Sequence, residues 1–272
     1  MAFQFLYKGL SINYTKKGSG KAVVLLHGFG EDSSVWSGQV HALQRNFTVI
    51  NIDLPGSGKS IIPNASVMLE SRSNIDFYAA CVHALLGNLS IEKCSMFGHS
   101  MGGYITLAFA EKYETMLDGF GLVHSTAYAD NAEKKINRQR GIDLMDQYGS
   151  HSFLKTTIPN LFSAAFKIAK PEAIEALIDA GKDFTVFALQ NYYRAMMNRL
   201  DRTAVLKSSK LPILFIIGTD DVAIPLKDSL EQSHMPKYAY IHVLENVGHM
   251  SMIENPEIVT SFLHNFLANI SN

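Results

Sequence analysis

Short apolar segments, separated by turn residues, recur along most of the chain. Eight of them are rich in β-branched and aromatic residues and have the length of strands. Most are continuously apolar instead of alternating, as in Val23-Val24-Leu25-Leu26, which is typical of parallel strands covered on both faces. The predicted strands are residues 3–7, 11–14, 23–27, 47–53, 93–97, 120–124, 212–218 and 238–244.

Helical patterns lie between most of these strands, with apolar residues three and four positions apart. The first two strands are separated by Lys8-Gly9-Leu10 and are predicted to form a hairpin. The later alternation of strand and helix predicts an α/β fold, with a mostly parallel eight-stranded sheet and helices on both faces. The predicted helices are residues 34–44, 75–86, 101–112, 226–232 and 256–267.

The segment 125–210 interrupts this alternation. It contains no convincing strand, although a single crossover needs only about a dozen residues. We therefore predict a core domain of residues 1–124 and 211–272, with a helical cap, residues 125–210, inserted after the sixth strand. The cap should include a charged helix over 131–148 and a short helix between Pro171 and Gly181.

An apolar stripe at helical spacing follows within the cap segment. Such a stripe either packs inside the cap or forms the underside of a lid over the main domain. Its members are Phe184, Phe187, Ala188, Tyr192, Ala195 and Met196.

Charge and composition narrow the function classes. The 272 residues include 24 Lys+Arg and 25 Asp+Glu, a balance that disfavours nucleic acid and polybasic membrane contact. We found no apolar run near the roughly 18 residues of a membrane span and no signal-peptide core in the first 17 residues, so we expect a cytoplasmic protein. Cys81 and Cys94 lack metal-ligand spacing and are predicted to be buried, reduced thiols. The oligomeric state is left open.

The strongest local motif is Gly98-His99-Ser100-Met101-Gly102, which has the form G-x-S-x-G. It lies between an apolar strand and an amphipathic helix, so Ser100 should occupy a strained turn at the carboxyl edge of the sheet. Glycine is expected at 98 and 102 because a side chain there would collide with the adjacent helix or strand. The alternative is a serine that only caps the helix. The context favours a nucleophile.

A serine nucleophile needs a base and a group that orients the base. His249 differs from the other histidines because its loop directly follows the last predicted strand. Asp220 and Asp221 follow the penultimate strand and should meet the same edge. Each taken alone fits a surface histidine or a turn-capping acid. Together with Ser100, in the order Ser, Asp, His, they predict a catalytic triad.

These motifs resemble the α/β-hydrolase superfamily, in its serine-nucleophile, esterase-like branch. The resemblance covers the whole chain and implies that Asp221, with Pro225 four residues later, is the acid. It also implies an oxyanion hole formed by the backbone N–H groups of Phe29 and Met101. A serine at position 100 departs from the aspartate-nucleophile branches, the dehalogenases and epoxide hydrolases. The motifs are residues 27–30 (HGFG), 53–60 (DLPGSGKS), 98–103 (GHSMGG) and 248–249 (GH).

The function implied is hydrolysis of a small or medium carboxylic ester, through an acyl-enzyme and with no metal or cofactor. The same triad also serves thioesters, amides, lactones and carbon–carbon bonds, which remain alternatives. A ligand receptor that retains a hydrolase pocket is a further alternative. We expect a small-molecule substrate and neither a nucleic-acid nor a membrane partner. The predicted pocket residues are Phe184, Phe187, Tyr192 and Met196.

Overall fold

Eight strands form a single sheet in the computed structural model, which describes residues 2–62 and 73–270. Their spatial order is β1-β2-β4-β3-β5-β6-β7-β8. Eight strands, mostly parallel, were predicted, and this prediction is confirmed. The strands are β1 (Ala2–Tyr7), β2 (Leu10–Lys17), β3 (Ala22–Leu26), β4 (Thr48–Ile52), β5 (Cys94–His99), β6 (Leu117–Val123), β7 (Ile213–Gly218) and β8 (Ala239–Leu244).

The first two strands form the predicted antiparallel hairpin, and β2 also pairs antiparallel with β4. All later pairings, from β4 through β3 to β8, are parallel. Every residue of β5 and β7 is buried, which explains why their sequences are continuously apolar. Parallel pairing brings the carboxyl ends of β5, β6, β7 and β8 to one edge of the sheet.

The described residues contain twelve α-helices, and those of the core cover the sheet. Helix α1 packs against α12 and α2 packs against α3, as two separate pairs. Outside the inserted segment the helices are α1 (Ser37–Leu43), α2 (Ile75–Asn88), α3 (Met101–Tyr113), α10 (Leu226–Ser233), α11 (Ser251–Glu254) and α12 (Pro256–Asn269).

Six helices occupy the chain between β6 and β7, where the cap was predicted. Asn131 caps the charged helix by accepting a hydrogen bond from the Lys134 N–H, and Pro171 opens the predicted short helix. The three shortest of the six had no clear sequence pattern and were missed. The helices are α4 (Ala132–Tyr148), α5 (Ser150–Thr157), α6 (Ala164–Ala169), α7 (Pro171–Ala180), α8 (Val186–Met197) and α9 (Thr203–Ser208).

The last of these helices also contacts the core. Arg202, just before α9, pairs with Asp76 of α2 at 2.9 Å and with Glu111 of α3 at 3.1 Å. Cys81 and Cys94 are buried thiols outside any disulfide of the described residues, as predicted. Within residues 2–62 and 73–270, none of the helices combines the length and the apolar character needed to cross a membrane.

Candidate active site

Ser100 lies between β5 and α3 in a strained backbone conformation. Its φ is 50° and its ψ is −113°, in the positive-φ region that few residues other than glycine adopt. The turn is held from β6, because Ser100 N–H donates to the Val123 carbonyl at 3.0 Å. The Ser125 hydroxyl donates to the Ser100 carbonyl at 2.7 Å. These bonds fix the serine at the start of a helix.

The glycines on either side are required by close backbone contacts. A Cβ at Gly98 would lie 2.2 Å from the backbone of Gly102, within the following helix. A Cβ at Gly102 would lie 2.5 Å from the Leu26 carbonyl at the end of β3. The collisions expected from the sequence motif are therefore present at both positions.

His249 and Asp221 meet at the same edge of the sheet. The imidazole Nδ1 donates to Asp221 Oδ2 at 2.8 Å, and both side chains are buried. The other carboxylate oxygen, Oδ1, accepts the N–H groups of Ala223 and Ile224, each at 2.9 Å. Asp220 is exposed and accepts a hydrogen bond from the Thr219 hydroxyl. Of the two adjacent acids, Asp221 is the one that contacts the histidine.

The charges of this pair stabilise each other. Burial by itself would raise the pKa of Asp221, but His249 and His124 together hold that pKa well below its ordinary value. Burial would lower the pKa of His249, but the Asp221 carboxylate raises it above the ordinary value of 6.5. An ionised Asp221 thus favours the protonated form of His249, the form that a general base reaches during catalysis.

Ser100 and His249 line one cavity of about 150 Å³. Larger hollows elsewhere on the molecule lack these two residues. Among the described residues, Ser100 Oγ has no hydrogen bond to His249. Such bonds are often long in ligand-free enzymes and shorten when substrate binds.

A second buried histidine shares the acid. His124 follows β6 and donates from Nδ1 to Asp221 Oδ2 at 3.0 Å, beside the bond from His249. Burial lowers the pKa of His124 to about 4, so its ring is neutral near pH 7. Its Nε2 is buried and has no hydrogen-bond partner in the described structure, as expected for a ring protonated on Nδ1 alone. Asp221 Oδ2 therefore accepts from two imidazoles.

A buried pair of side chains, Glu31 and His99, lies next to Ser100 and His249. Glu31 Oε2 accepts from His99 Nδ1 at 3.0 Å, and His99 Nε2 donates to the His249 carbonyl at 2.9 Å. Both ring nitrogens of His99 therefore lie within hydrogen-bond distance of oxygen atoms. Burial would raise the pKa of Glu31, but His99 lowers it below the ordinary value. Glu31 also accepts the Gly28 N–H at 2.9 Å.

The candidate oxyanion donors are the backbone N–H groups of Met101, which follows Ser100, and of Phe29, which follows Gly28. Met101 is the first residue of α3, and the first N–H groups of a helix have no partner within it. Phe29 follows Gly28, which Glu31 holds, and its ring lines the cavity with Ser100. The N–H groups of Phe29 and Met101 remain our candidates for binding an oxyanion.

The residues of the predicted stripe, which lie in α8 and just before it, have different surroundings. Met196 lines the cavity that contains Ser100. Tyr192 is fully buried beneath it, and its hydroxyl donates to the Leu54 carbonyl at 3.2 Å. Phe184 lines a separate hollow beside Gly56, and Phe187 packs against the core. Three of the four predicted pocket residues, Phe184, Phe187 and Tyr192, are therefore not among the residues that line this cavity. Helical spacing shows which residues share a face of a helix, but not what each of them contacts.

The cavity wall is mainly apolar and comes from both the core and the inserted segment. Tyr193, not Tyr192, is the tyrosine of α8 at this wall, and its ring stacks on Phe29 with centroids 4.3 Å apart. One cation, Arg138 of α4, lies among the described lining residues. The further lining residues are Glu31, Tyr104, Leu154, Thr157, Ile158, Leu161, Ala223 and Ile224.

One group of residues has the composition of a metal site. The potential ligand atoms of His124, Asp221 and His249 lie within 4.8 Å of one another. Both imidazole Nδ1 atoms, however, carry the protons that bind Asp221, and a metal would have to displace them. The donor set therefore fits a hydrogen-bonded acid and its two histidines better than an ion.

Comparison with known proteins identifies the class of protein. The model of the Alpha/beta hydrolase family matches residues 23–261, and the chain belongs to that family. It is similar to the 2-hydroxy-6-oxononadienedioate/2-hydroxy-6-oxononatrienedioate hydrolase of Paraburkholderia phymatum, with 28% identity over 95% of this chain and 91% of the relative. The predicted superfamily is confirmed, and the protein is a hydrolase.

Solved structures agree with this assignment. A thermophilic esterase from Thermogutta terrifontis, determined with malate bound, is 27% identical, with a TM-score of 0.90 and 100% of both chains covered. The enol-lactonase from Burkholderia xenovorans is 23% identical, with a TM-score of 0.88 over 97% of this chain and 99% of that one. At that identity the second likeness concerns the fold alone.

Three residues at this site were not singled out from the sequence: Glu31, His124 and Arg138. Glu31 follows the HGFG motif by one residue, and His124 ends a predicted strand at the same edge as the triad. Both positions could have been flagged on that basis. Arg138 belongs to the predicted charged helix over 131–148, and in the structure it lines the cavity. Its contact with the site depends on how α4 packs against α8.

Proposed function

We propose that this protein is a serine hydrolase that cleaves small carboxylic esters through an acyl-enzyme on Ser100. The observation that carries the proposal is the pairing of His249 with buried Asp221 beside a cavity that Ser100 also lines. The strained conformation of Ser100 supports the same role, because it holds the side chain at the edge of the cavity.

In the first half-reaction, Ser100 Oγ attacks the carbonyl carbon and gives its proton to His249 Nε2. Asp221 orients the ring through Nδ1 and stabilises the imidazolium that forms. The N–H groups of Phe29 and Met101 bind the oxyanion of the tetrahedral intermediate. The ester C–O bond then breaks, His249 returns the proton to the leaving alkoxide, and an alcohol departs.

In the second half-reaction, water attacks the acyl carbonyl and His249 takes one of its protons. The second tetrahedral intermediate collapses as the bond to Ser100 Oγ breaks, and His249 protonates that oxygen. The products are a carboxylic acid and the free serine. This sequence needs no group beyond the residues named.

The size of the cavity supports a small substrate. At about 150 Å³ it falls below the usual range of drug-sized ligand sites, which starts near 300 Å³. The apolar wall contributed by Met196, Leu154 and Ile158 suits a short acyl chain. We propose that residues 125–210 act as the cap that closes this cavity over the core. The esterase of Thermogutta terrifontis supports an ester as the substrate class.

The proposal is tested with a fluorophosphonate probe and with short aryl esters. We expect the probe to label Ser100 and Ser100→Ala to lose at least about a thousandfold in ester turnover while remaining folded. Ser261→Ala is the control, since Ser261 is an exposed serine of α12 whose hydroxyl bonds to the Ile258 carbonyl, and it should keep wild-type turnover. Normal turnover by Ser100→Ala contradicts the acyl-enzyme. Only one or a few slow turnovers by the wild-type protein would favour a ligand receptor.

A further inference from the structure

Arg138 is an unusual member of the cavity wall. It is a cation among mostly apolar residues, in the same cavity as Ser100 and His249. Its side chain is 20% exposed, so it is partly open to solvent. Burial would lower the pKa of Arg138, but Tyr104 and Asp130 raise it. The guanidinium therefore stays charged.

The position of Arg138 is set by contacts that use part of its guanidinium. Its Nε donates to Asp130 Oδ2 at 2.6 Å, and its Cζ lies 5.2 Å from the ring centroid of Tyr193. In residues 2–62 and 73–270, its two terminal nitrogens have no hydrogen-bond acceptor. A guanidinium held in this way keeps a planar pair of donors for a ligand.

The charge of Asp130 does not neutralise the arginines beside it. Arg199 also pairs with Asp130, at 2.7 Å, so two cations share one carboxylate. Arg199 is buried, and it donates to the carbonyls of Tyr128 and Met196, which makes its role structural. One positive charge is left in excess, and Arg138 is the member of the pair that lines the cavity.

The other acidic side chains that bond to residues of the site have partners within the protein. Glu31 bonds to His99, and Asp221 bonds to His249 and His124. The positive charge that Arg138 and Arg199 carry in excess over Asp130 can be matched by one negative charge on a ligand. A carboxylate supplies one charge and two oxygens in the geometry that a guanidinium fork binds.

We propose that Arg138 binds a carboxylate of the substrate, so that the natural ester carries a second, unreacted carboxylate group. This inference rests on the proposed ester hydrolysis and adds a substrate class to it. Tyr193 lies between Arg138 and Phe29, whose N–H is a candidate oxyanion donor. Arg138 would then hold the substrate at one end while the ester carbonyl lies against Ser100.

Two pairs of esters separate charge from shape. On the leaving-group side, 4-carboxyphenyl acetate is compared with 4-carbamoylphenyl acetate. On the acyl side, the monophenyl ester of adipic acid is compared with the phenyl ester of its monoamide. In at least one pair we expect kcat/KM to be roughly tenfold or more higher for the carboxylate, as for a hydrogen bond to a charged group.

Variants of the two arginines on α4 assign that preference. Arg138→Met should abolish the preference, and Arg138→Lys should retain part of it, because lysine keeps the charge but not the fork. Arg140→Met is the control, since Arg140 is exposed on the same helix and bonds to Asn137. It should keep the wild-type ratio. Thermal unfolding checks that each variant is folded, because Arg138→Met also removes a partner of Asp130.

Binding to Ser100→Ala tests the inference without turnover. Titration calorimetry of all four esters should give a lower Kd for the carboxylate member of at least one pair, and Arg138→Met in the same background should remove the difference. Equal affinities within both pairs, or an unchanged ratio in Arg138→Met, would overturn the role of Arg138. If wild-type protein hydrolyses none of the four esters, the proposed function fails, and the binding measurement still decides the carboxylate site.

Discussion

Glu31 and His99 form a buried pair, with Oε2 and Nδ1 3.0 Å apart, that touches three parts of the candidate site. His99 precedes Ser100 in the chain and bonds to the His249 carbonyl, while Glu31 holds the Gly28 N–H next to Phe29. Ser100, His249 and Phe29, the proposed nucleophile, base and oxyanion donor, are thereby connected through a single pair of side chains. We expect this pair to set their relative positions.

Glu31→Gln removes the charge but keeps most of the shape. Because it replaces a buried carboxylate that accepts from the Gly28 N–H and bonds to His99, we expect a loss of about 1 to 3 kcal/mol in the free energy of unfolding at pH 7. Glu245→Gln, at an exposed position after β8, should change stability little. Urea denaturation measures both, and equal effects of the two variants would contradict this role of the Glu31 carboxylate.

The effect of Glu31→Gln on the free energy of unfolding should depend on pH. The pKa of Glu31 is lowered in the folded state from its ordinary value of 4.5. A carboxyl of this kind contributes stability above its unfolded pKa, and that contribution is lost as the pH falls through the folded value. The difference in unfolding free energy between wild type and Glu31→Gln should therefore be full near pH 7 and should narrow below about pH 4.5.

Two adjacent aspartates provide a matched test of the acid. Asp221→Asn removes the charge that orients and stabilises protonated His249, so we expect ester turnover to fall by roughly a thousandfold or more. Asp220→Asn changes an exposed carboxylate and should keep turnover within a few-fold of wild type. Steady-state kinetics decide the matter, and the reverse ranking would assign the acid to Asp220.

His124 should act on the reaction through Asp221. Removing its N–H with His124→Phe leaves the carboxylate more basic, so Asp221 should hold the proton of His249 more strongly. Since the base must be neutral to act, activity is lost as the pH falls through the pKa of His249, which already lies above 6.5. We expect this acid limb of kcat/KM to move up by about half a unit to one unit.

His242 provides a control, because it does not line the cavity that contains Ser100 and His249. His242 of β8 stacks on Phe262, with ring centroids 3.6 Å apart, and His242→Phe should leave the pH profile in place. If His124→Phe also leaves the acid limb unmoved, the bond from His124 to Asp221 has a packing role alone.

The sequence was sufficient for the fold and for the three triad candidates because their signals are local. Ser100, Asp221 and His249 each follow a recognisable strand, and parallel strands bring such loops to one edge. The Glu31–His99 pair was not predictable in this way. Its members are 68 residues apart, and their contact depends on how the loop after β3 packs against the end of β5.

The cavity wall was harder still to predict. Periodicity identifies which residues of α8 share a face, yet Tyr192 meets the Leu54 carbonyl while Met196 faces the cavity, one turn further on. What a helix face contacts depends on the position of the whole helix over the core. Arg138 illustrates the same point, because it belongs to a charged helix and yet lines the cavity.

Met196 and Phe187 provide the last test, which concerns substrate size. Met196→Ala enlarges the cavity beside Ser100, whereas Phe187→Ala, on the same helix, removes a side chain that packs against the core. Because an apolar pocket discriminates by roughly one to three kcal/mol per methylene, Met196→Ala should raise kcat/KM for hexanoate relative to acetate esters by about tenfold or more.

Phe187→Ala should keep the wild-type ratio while losing some stability. Aryl esters of two to eight acyl carbons give the full profile for both variants, and thermal unfolding reports the stability loss separately. An unchanged profile in folded Met196→Ala would mean that the acyl chain lies elsewhere, along the wall formed by Leu154 and Ile158. If Phe187→Ala changes the chain-length profile instead, the packing of α8 against the core determines the size of the cavity, because Phe187 does not line the cavity.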